Sequence, residues 1–440
     1  MPSAIVIGGG LAGMATAAAL GEAGFSVDLY ESRGFLGGRA TSYPLPGEAG
    51  ASEEIDNCQH ILLRCCVNLL NFYERLGAQS KIQFFREFFF MEPGGRISRL
   101  NRGVLPAPLH FAGSFLGMKC LDLSDKIAIG RAIRAIEREQ RRDDLDRITM
   151  LDWLREQRQT PRAISRFWNQ VLVSAINEDL DRMAAAHGFQ VFRLGFLARS
   201  DSYEMGVPSA PLAELYGSSQ WARLGNVRLN MREPVERLEM VDGRVAGVVV
   251  RGARKTADYY VSCLPFERLA SVAPGVGGDF TGFTHSPITG IHLWFDRPVT
   301  DLPHATLLDR TVQWMFNKAE GQYVQLVVSA SRGLVEMSKQ DVVAMALREL
   351  AEFFPEVARA KLEKAHVVKE IRATFSAAPG LESRRPPSRT GIPNLFLGGD
   401  WTKSGWPATM EGAVRSGYLA AEAVTEAAGA SRRFLLPDIA

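Results

Sequence analysis

Four residues near the N-terminus have the types and spacing of a dinucleotide site. Gly8, Gly10 and Gly13 form the pattern G-x-G-x-x-G, and Glu31 follows about 20 residues later. In such a pattern the first glycine permits a tight turn, the second lets the backbone approach a pyrophosphate, and the third lets a helix pack closely on a strand. The glutamate can accept hydrogen bonds from both ribose hydroxyls of an adenosine. The spacing therefore predicts that this segment binds a dinucleotide.

Positioning these residues requires a strand, a helix and a second strand. The apolar residues 4–7 predict a strand buried on both faces, the alanine-rich stretch up to Leu20 predicts a helix, and residues 25–30 predict the second strand. The N-terminus of that helix would direct free N–H groups and its positive dipole end at the phosphates. Residues 1–21 carry no charged side chain, but glycines break the apolar run and no basic residue precedes it. We therefore expect neither a signal peptide nor a membrane span here.

The composition is that of an ordinary globular protein and argues against several classes of function. The 440 residues are 46% hydrophobic and 23% charged, which is enough for two joined domains. The net charge of +2 provides no general attraction for nucleic acid. The five cysteines include no C-x-x-C pair, so we expect neither a disulfide framework nor a metal site. A reducing cytoplasm fits this cysteine usage.

Two further glycine motifs occur at opposite ends of the chain. Gly37, Gly38 and Arg39 follow the second predicted strand, while Gly399 and Asp400 follow an apolar run near the C-terminus. Together with the first motif, they resemble the flavin amine oxidase and carotenoid desaturase superfamily. The resemblance implies bound FAD, with Arg39 at the pyrophosphate and flavin and Asp400 at the ribityl-pyrophosphate portion.

The same resemblance extends to two other regions. A helix starting near residues 409–411 would direct its dipole at the pyrimidine edge of the flavin. Val235 would give a backbone contact to adenine from a predicted strand meander over residues 227–263, which includes a D-G turn at 242–243. Because the chain has one G-x-G-x-x-G unit, NAD(P)H or another reduced electron carrier would dock transiently. The predicted cofactor-binding residues are Gly8, Gly10, Leu11, Ala12, Gly13, Glu31, Ser32, Gly37, Gly38, Arg39, Val235, Gly399, Asp400, Thr409, Met410 and Glu411.

The flavin motifs fall in three separated stretches, which predicts a second domain inserted twice into the first. The implied fold class is α/β: a Rossmann-like FAD-binding domain of the glutathione-reductase and amine-oxidase type, with an inserted α+β substrate domain. The predicted FAD-binding domain comprises residues 1–80, 225–265 and 390–430, the substrate domain residues 81–224 and 266–389, and the C-terminal tail residues 431–440.

Several segments resemble the hydroxysqualene dehydroxylases of bacterial hopanoid synthesis. They are residues 56–66, 168–177, 203–212 and 399–414. The likeness covers most of the chain but is weak from 270 to 365, and it implies reductive removal of the allylic hydroxyl of hydroxysqualene, giving squalene. The implied partners are a long-chain isoprenoid substrate, other squalene-pathway enzymes and the inner face of the cell membrane. The apolar segment 104–118 is too short to span a bilayer, so it is either a surface patch touching one or a buried loop.

Reductive dehydroxylation requires a proton donor, because hydroxide is a poor leaving group, and an apolar wall that tolerates an allylic cation. His60 is the candidate acid, with hydrogen bonding to flavin or backbone as the alternative. Asp56 would either orient His60 or cap the helix that follows. The candidates for the cavity wall are Trp401, Trp406 and Trp168, with core packing as the alternative.

Three other functions remain open from the sequence. The first is a carotenoid-type desaturase acting oxidatively on phytoene or dehydrosqualene, with the same cofactor and an apolar tunnel. An amine oxidase has less support, since no amine site is evident. A prenyl-binding carrier resembling the GDP-dissociation inhibitors would share the architecture without flavin turnover, but the intact glycine motifs argue against it.

Overall fold

The computed structural model describes residues 1–46 and 52–439, which contain twenty strands and thirteen α-helices. The strands are β1 (Ser3–Ile7), β2 (Ser26–Glu31), β3 (Ser42–Pro46), β4 (Ser52–Asp56), β5 (Leu62–Leu63), β6 (Ile82–Phe85), β7 (Glu87–Met91), β8 (Ile97–Asn101), β9 (Met205–Pro208), β10 (Val227–Met231), β11 (Val235–Val241), β12 (Arg244–Val250), β13 (Ala253–Lys255), β14 (Tyr259–Ser262), β15 (His285–Phe295), β16 (His304–Leu307), β17 (Trp314–Ala319), β18 (Tyr323–Ser329), β19 (Leu362–Phe375) and β20 (Leu395–Leu397). The helices are α1 (Leu11–Glu22), α2 (Val67–Arg75), α3 (Ala112–Gly117), α4 (Leu123–Glu139), α5 (Met150–Glu156), α6 (Pro161–Ala163), α7 (Asn169–Ile176), α8 (Ala185–Gln190), α9 (Leu212–Tyr216), α10 (Ser218–Trp221), α11 (Phe266–Val272), α12 (Lys339–Phe353) and α13 (Met410–Ala427). Within these described residues, no helix has the length and apolar character needed to cross a membrane.

Five strands form a parallel sheet in the order β10-β2-β1-β14-β20. The central strand β1 pairs in parallel with β2 on one side and β14 on the other. Because both of its faces are covered, its apolar residues from Ala4 to Ile7 are at most 1% exposed. The predicted strand-helix-strand unit is confirmed, and its helix runs from Leu11 to Glu22. The strands of this sheet come from three separated stretches of the chain.

Helices α1 and α13 pack closely, and glycines make this approach possible. A Cβ atom on Gly417 of α13 would lie 2.3 Å from the carbonyl oxygen of Ala12 in α1. A Cβ atom on Gly13 of α1 would lie 1.9 Å from the carbonyl oxygen of Gly8, in the loop that follows β1. The packing role predicted for Gly13 is therefore confirmed.

The segment from 227 to 263 divides between two sheets. Strands β11 and β12 form the predicted hairpin, and φ is 49° at Asp242 and 73° at Gly243, as a type I′ turn requires. Strand β13 completes a small antiparallel sheet with them. The prediction of one continuous meander is wrong, because β10 and β14 instead pair in parallel with β2 and β1.

A seven-stranded sheet in the order β19-β15-β18-β17-β16-β7-β8 carries the other large core. Its two faces pack against different partners, because successive residues of a strand point to opposite sides. Met315 and Leu326 belong to a core shared with helix α12. Trp314, Phe316 and Val327 belong to a core shared with the helices between residues 123 and 197. The helical face of the sheet is the one that borders the cavity described below.

Two helices of that layer contain wider, π-helical turns. One lies at Ile164–Trp168, between α6 and α7, and the other at Val191–Leu197, directly after α8. Turns of this kind are frequent at functional sites, since they change which residues a helix presents to one side. Residues of α7 and of the Val191–Leu197 turn line the cavity.

Candidate functional site

A cavity of about 870 Å³ extends from the loops beyond the parallel sheet to the helical face of the seven-stranded sheet. Its first part is lined by the glycine motifs from both ends of the chain, and its second part by apolar residues of α7, β7, β17 and the Val191–Leu197 turn. All of the predicted cofactor-binding residues except Gly13 line this cavity.

The first glycine loop is held in shape by hydrogen bonds to Glu31. The carboxylate accepts from the Gly9 N–H at 2.7 Å and, through its other oxygen, from the Arg33 N–H at 2.7 Å and the Ser32 hydroxyl at 3.0 Å. Gly8 has a φ of 104°, which favours glycine. A Cβ atom on Gly10 would meet no other atom within 4 Å, although the residue lines the cavity. The loop thus leaves open the space beside Gly10 that a pyrophosphate would occupy, and it fits FAD.

The second and third glycine motifs meet beside the first. The Gly37 N–H donates to the carbonyl oxygen of Gly9 at 2.9 Å, which places the two N-terminal loops together. Arg39 donates to Asp400 at 2.6 Å and to the carbonyl oxygen of Ala373 at 3.2 Å. The arginine and the aspartate that the superfamily resemblance assigns to FAD are therefore ion-paired neighbours at the cavity wall.

Helix α13 begins at the cavity as predicted, but the side chain of Glu411 turns away from it. The Thr409 hydroxyl caps the helix by accepting from the Gly412 N–H at 3.0 Å. The Glu411 carboxylate accepts from the N–H groups of Asn68 at 3.2 Å and Leu69 at 2.7 Å, at the start of α2. Glu411 is 1% exposed, and burial raises its pKa. Its side chain fixes α2, so any contact with the cofactor would come from its backbone.

Several residues that line the cavity belong to no sequence motif and were not predicted. Arg268 lies on α11, which follows β14 at the carboxyl edge of the parallel sheet, where such folds bind their ligands. Glu370 lies on β19 of the other sheet, and Gln190 ends α8 and donates to the carbonyl oxygen of Gly405 at 2.8 Å. The strand-to-helix step before Arg268 could have indicated its position, whereas Glu370 stands in no local pattern.

His60 lines the cavity, and its partner is Asn57. The distance between His60 Nε2 and Asn57 Oδ1 is 2.9 Å. Burial lowers the pKa of His60 to about 4; the charge of Asp56 opposes this shift and that of Lys318 adds to it. The ring is therefore neutral near pH 7. Lys318 itself donates to Gln59 at 2.9 Å, and burial lowers its pKa.

Asp56 has neither of the hydrogen-bonding roles predicted for it. Its Oδ1 accepts from the Leu212 N–H at 2.9 Å and from the Ser42 hydroxyl at 2.6 Å, so it fixes the start of α9. It neither bonds to His60 nor caps the next helix in the chain, because the end of β4 directs its side chain towards β3 and α9. Its effect on His60 is the electrostatic one given above.

The structure brings two of the three predicted tryptophans to the cavity. Trp401 and Trp406 line it; Trp401 donates to the carbonyl oxygen of Leu264 at 3.0 Å, and Trp406 donates to Asp438 at 3.1 Å. Trp168 does not line it. Its side chain is fully buried among other aromatic rings and donates to Gln159 at 2.8 Å, because the turn Ile164–Trp168 points it into the helical core.

The far part of the cavity is an apolar wall with few polar groups. Phe88, Phe90 and Leu100 line it from β7 and β8, and Trp314 and Phe316 line it from β17. The rings of Trp314 and Phe316 are stacked at 5.5 Å between centroids. Such a wall suits a hydrocarbon, since it offers dispersion contacts over a long surface.

These glycine loops, the ion pair and the parallel sheet define a flavin-dependent oxidoreductase. The chain belongs to the family described as flavin containing amine oxidoreductase, which matches residues 11–425.

Curated relatives and solved structures agree with this assignment. A zeta-carotene desaturase from Synechocystis sp. is 26% identical over 475 residues, covering 95% of this chain and 96% of the relative. A 15-cis-phytoene desaturase from Synechococcus elongatus is 27% identical over 461 residues, covering 95% of each chain. Among solved structures, an oxidoreductase from Methanosarcina mazei is similar with a TM-score of 0.72, 16% identity and coverage of 94% and 98%. Putrescine oxidase bound to putrescine has a TM-score of 0.69, 15% identity and coverage of 97% and 98%. These two structures share the mixed α/β fold.

Gly10→Ala should weaken FAD binding without harming the fold. The residue has extended backbone, with φ −75° and ψ 176°, and the added methyl would meet no protein atom within 4 Å. It would instead occupy space beside the cofactor, so we expect at least about a tenfold rise in the Kd for FAD and an unchanged melting temperature of the apoprotein. Gly13→Ala is the matched comparison: it should raise the Kd for FAD and also lower the melting temperature of the apoprotein, because its methyl would meet the Gly8 carbonyl. FAD titration and thermal melts of the apoproteins measure this; an unchanged Kd for Gly10→Ala would contradict it.

Proposed function

We propose that this protein catalyses the FAD-dependent reductive dehydroxylation of hydroxysqualene to squalene. The observation that supports this most is where the residues of the resembling segments lie. Residues of three distant stretches contribute to one cavity wall: Asn57 and His60, five residues of α7 together with Asn177 directly after it, and Thr409. Three of the four segments that resemble hydroxysqualene dehydroxylases thus contribute to the cavity in which flavin and substrate would meet, whereas no residue of 203–212 lines it.

The chain's own residues supply binding and exclusion of water in this reaction. The aromatic and aliphatic wall would hold the isoprenoid chain and would tolerate an allylic cation when the carbon–oxygen bond breaks. Arg39, Asp400 and the glycine loops would hold the cofactor, while the start of α13 would favour negative charge on it. Reduced FAD, when bound, supplies the hydride. In the overall reaction, one hydroxysqualene, one proton and one hydride give one squalene and one water.

The proposed electron source is NAD(P)H or another reduced carrier that docks transiently. A single G-x-G-x-x-G loop occurs in the sequence, and its residues line the same cavity as the other flavin motifs. A second dinucleotide would therefore have to reach the flavin from outside. Other enzymes of the squalene pathway are the proposed suppliers of substrate.

Oxidative desaturation of phytoene or dehydrosqualene is the second candidate. The relatives of similar length carry the names zeta-carotene desaturase and phytoene desaturase, and the apolar wall would suit those substrates equally well. The two reactions move hydride in opposite directions between substrate and flavin, so one experiment separates them.

Anaerobic single-turnover assays should give squalene from hydroxysqualene. We expect the dithionite-reduced holoenzyme to form one squalene per flavin reoxidised, measured by gas chromatography and by recovery of the oxidised flavin spectrum. The oxidised holoenzyme mixed with phytoene should show no gain in conjugated polyene absorbance. Polyene formation without squalene would favour desaturation and refute dehydroxylation, and a flavin that reacts with neither substrate would refute both.

We also propose that an apolar surface beside the cavity contacts a lipid bilayer. Val104, Leu109 and Leu116 are more than half exposed, as are Leu123 and Ile127 at the start of α4. We call these five residues the aliphatic patch. Helices α3 and α4 form one surface there, because Lys126 donates to the carbonyl oxygen of Leu116 at 2.8 Å.

The position and charge of the aliphatic patch favour an anionic membrane as its partner. Phe111, in the same segment, packs 6.1 Å from the ring of Phe196, which lines the cavity. Through Phe111, the segment that carries the patch thus packs against the wall of the cavity that an apolar substrate would occupy. Lys119, Arg131 and Arg134 are exposed around it and would meet acidic headgroups.

Replacing two patch residues by glutamate should weaken vesicle binding at least tenfold. Leu116 and Leu123 are 63% and 69% exposed, so the Leu116→Glu/Leu123→Glu variant should fold normally. Loss of about 1.5–3 kcal/mol per buried leucine predicts at least a tenfold fall in the partition into phosphatidylglycerol-containing vesicles, measured by co-sedimentation. Val241→Glu, at an exposed site on β11, is the control and should bind like the wild type. Equal binding by all three proteins would count against this surface.

A further inference from the structure

Glu370 is an acidic residue of the cavity wall whose charge has no protein partner. It lies on β19 opposite Ile288 of β15, and both residues line the cavity. Within residues 1–46 and 52–439, no ion pair or hydrogen bond engages its carboxylate. The other acidic residues of the cavity all accept hydrogen bonds; they are Glu31, Glu236, Asp400 and Glu411. A half-buried carboxylate with no protein partner on a cavity wall is a candidate acid for chemistry in that cavity.

Glu370 stands near both the flavin motifs and the loop that carries His60. Gly290 of β15 lies two residues after Ile288, the residue paired with Glu370. A Cβ atom on Gly290 would lie 3.0 Å from the carbonyl oxygen of Asn57. The strand pair therefore packs directly on that loop. Burial alone would lower the pKa of the Arg39 guanidinium. The pKa is nevertheless raised, chiefly by the charge of Asp400 and in smaller part by those of Glu267 and Glu370. Glu370 is thus within electrostatic reach of a predicted flavin contact.

The proposed dehydroxylation needs an acid that is a better proton donor than a neutral histidine. His60 has its pKa lowered to about 4 and is held by Asn57, so its ring carries no dissociable cationic proton near pH 7. Burial lowers the pKa of a histidine but raises that of a carboxyl group. Contact with hydrocarbon removes water and favours the neutral, protonated form of a carboxyl group. Within the described residues, Glu370 is the carboxyl group of the cavity wall that no protein group engages, so it is free to meet the substrate.

We propose that Glu370 is the catalytic acid that protonates the departing hydroxyl group, an inference that rests on the dehydroxylation proposed above. The Glu370 carboxyl proton passes to the hydroxyl oxygen, the allylic carbon–oxygen bond breaks, and water leaves with the bonding pair. Reduced FAD, when bound, would supply the hydride for the new carbon–hydrogen bond, and an external reductant would replace those electrons. Glu370 is left ionised and regains a proton from solvent.

The test compares two leaving groups at the same carbon. Protonation is essential for hydroxide, whereas acetate leaves readily without it. In single-turnover reactions of the reduced holoenzyme, Glu370→Gln should lower the rate of squalene formation from hydroxysqualene by about 10²–10⁴-fold. The same variant should convert the acetate ester of hydroxysqualene within about fivefold of the wild-type rate. Glutamine keeps the shape of the side chain, and the flavin spectrum reports whether FAD is retained.

Two further variants make the result decisive. Glu363→Gln removes an exposed carboxylate from the same strand and should match the wild type with both substrates. His60→Asn tests the sequence-based assignment, and a leaving-group-dependent loss in this variant instead of Glu370→Gln would overturn the proposal. An unchanged rate for Glu370→Gln, or an equal loss with both substrates, would also overturn it while leaving the dehydroxylation intact. A wild-type enzyme that forms no squalene would reject the dehydroxylation and this role together.

Discussion

The ion pair between Arg39 and Asp400 is the contact on which the flavin site depends, because it joins the two ends of the chain. The residues are 361 positions apart, yet the guanidinium lies 2.6 Å from the carboxylate. Arg385 holds the aspartate from the other side by donating to its backbone carbonyl oxygen at 2.8 Å. A carboxylate only 7% exposed is costly to leave unpaired, so the two glycine motifs form the site together or not at all.

The seven-stranded sheet allows one polypeptide to combine a polar cofactor site with an apolar substrate site. Alternation along β17 directs Met315 into a packed core and Trp314 and Phe316 towards the cavity. The cavity wall is therefore a direct extension of a structural core, and its rigidity comes from strands rather than loops. The charged groups Arg39, Asp400 and Glu370 lie at the end near the glycine motifs, whereas the far wall is mainly apolar.

The sequence was informative where function depends on local backbone geometry. The glycine fingerprint and Glu31 act within one short segment, so their spacing predicted this segment, and the superfamily resemblance predicted the start of α13; both border the cavity. Long-range pairing was not predictable in the same way: β10 and β14 join the parallel sheet through partners distant in the chain. Side-chain direction was also hidden, since Trp168 turns into the helical core. Glu370 could not be found because an isolated glutamate on a strand has no distinguishing pattern.

The dependence of α1 on α13 has a consequence for how the protein is made. Eleven of the twelve residues of α1 are buried, and its close partner is the helix Met410–Ala427. During synthesis the N-terminal helix therefore emerges from the ribosome long before the surface that covers it. Its apolar face must remain exposed or chaperone-bound until α13 has been translated. Synthesis of α13, rather than of the glycine loop, therefore sets the earliest time at which the cofactor can be captured.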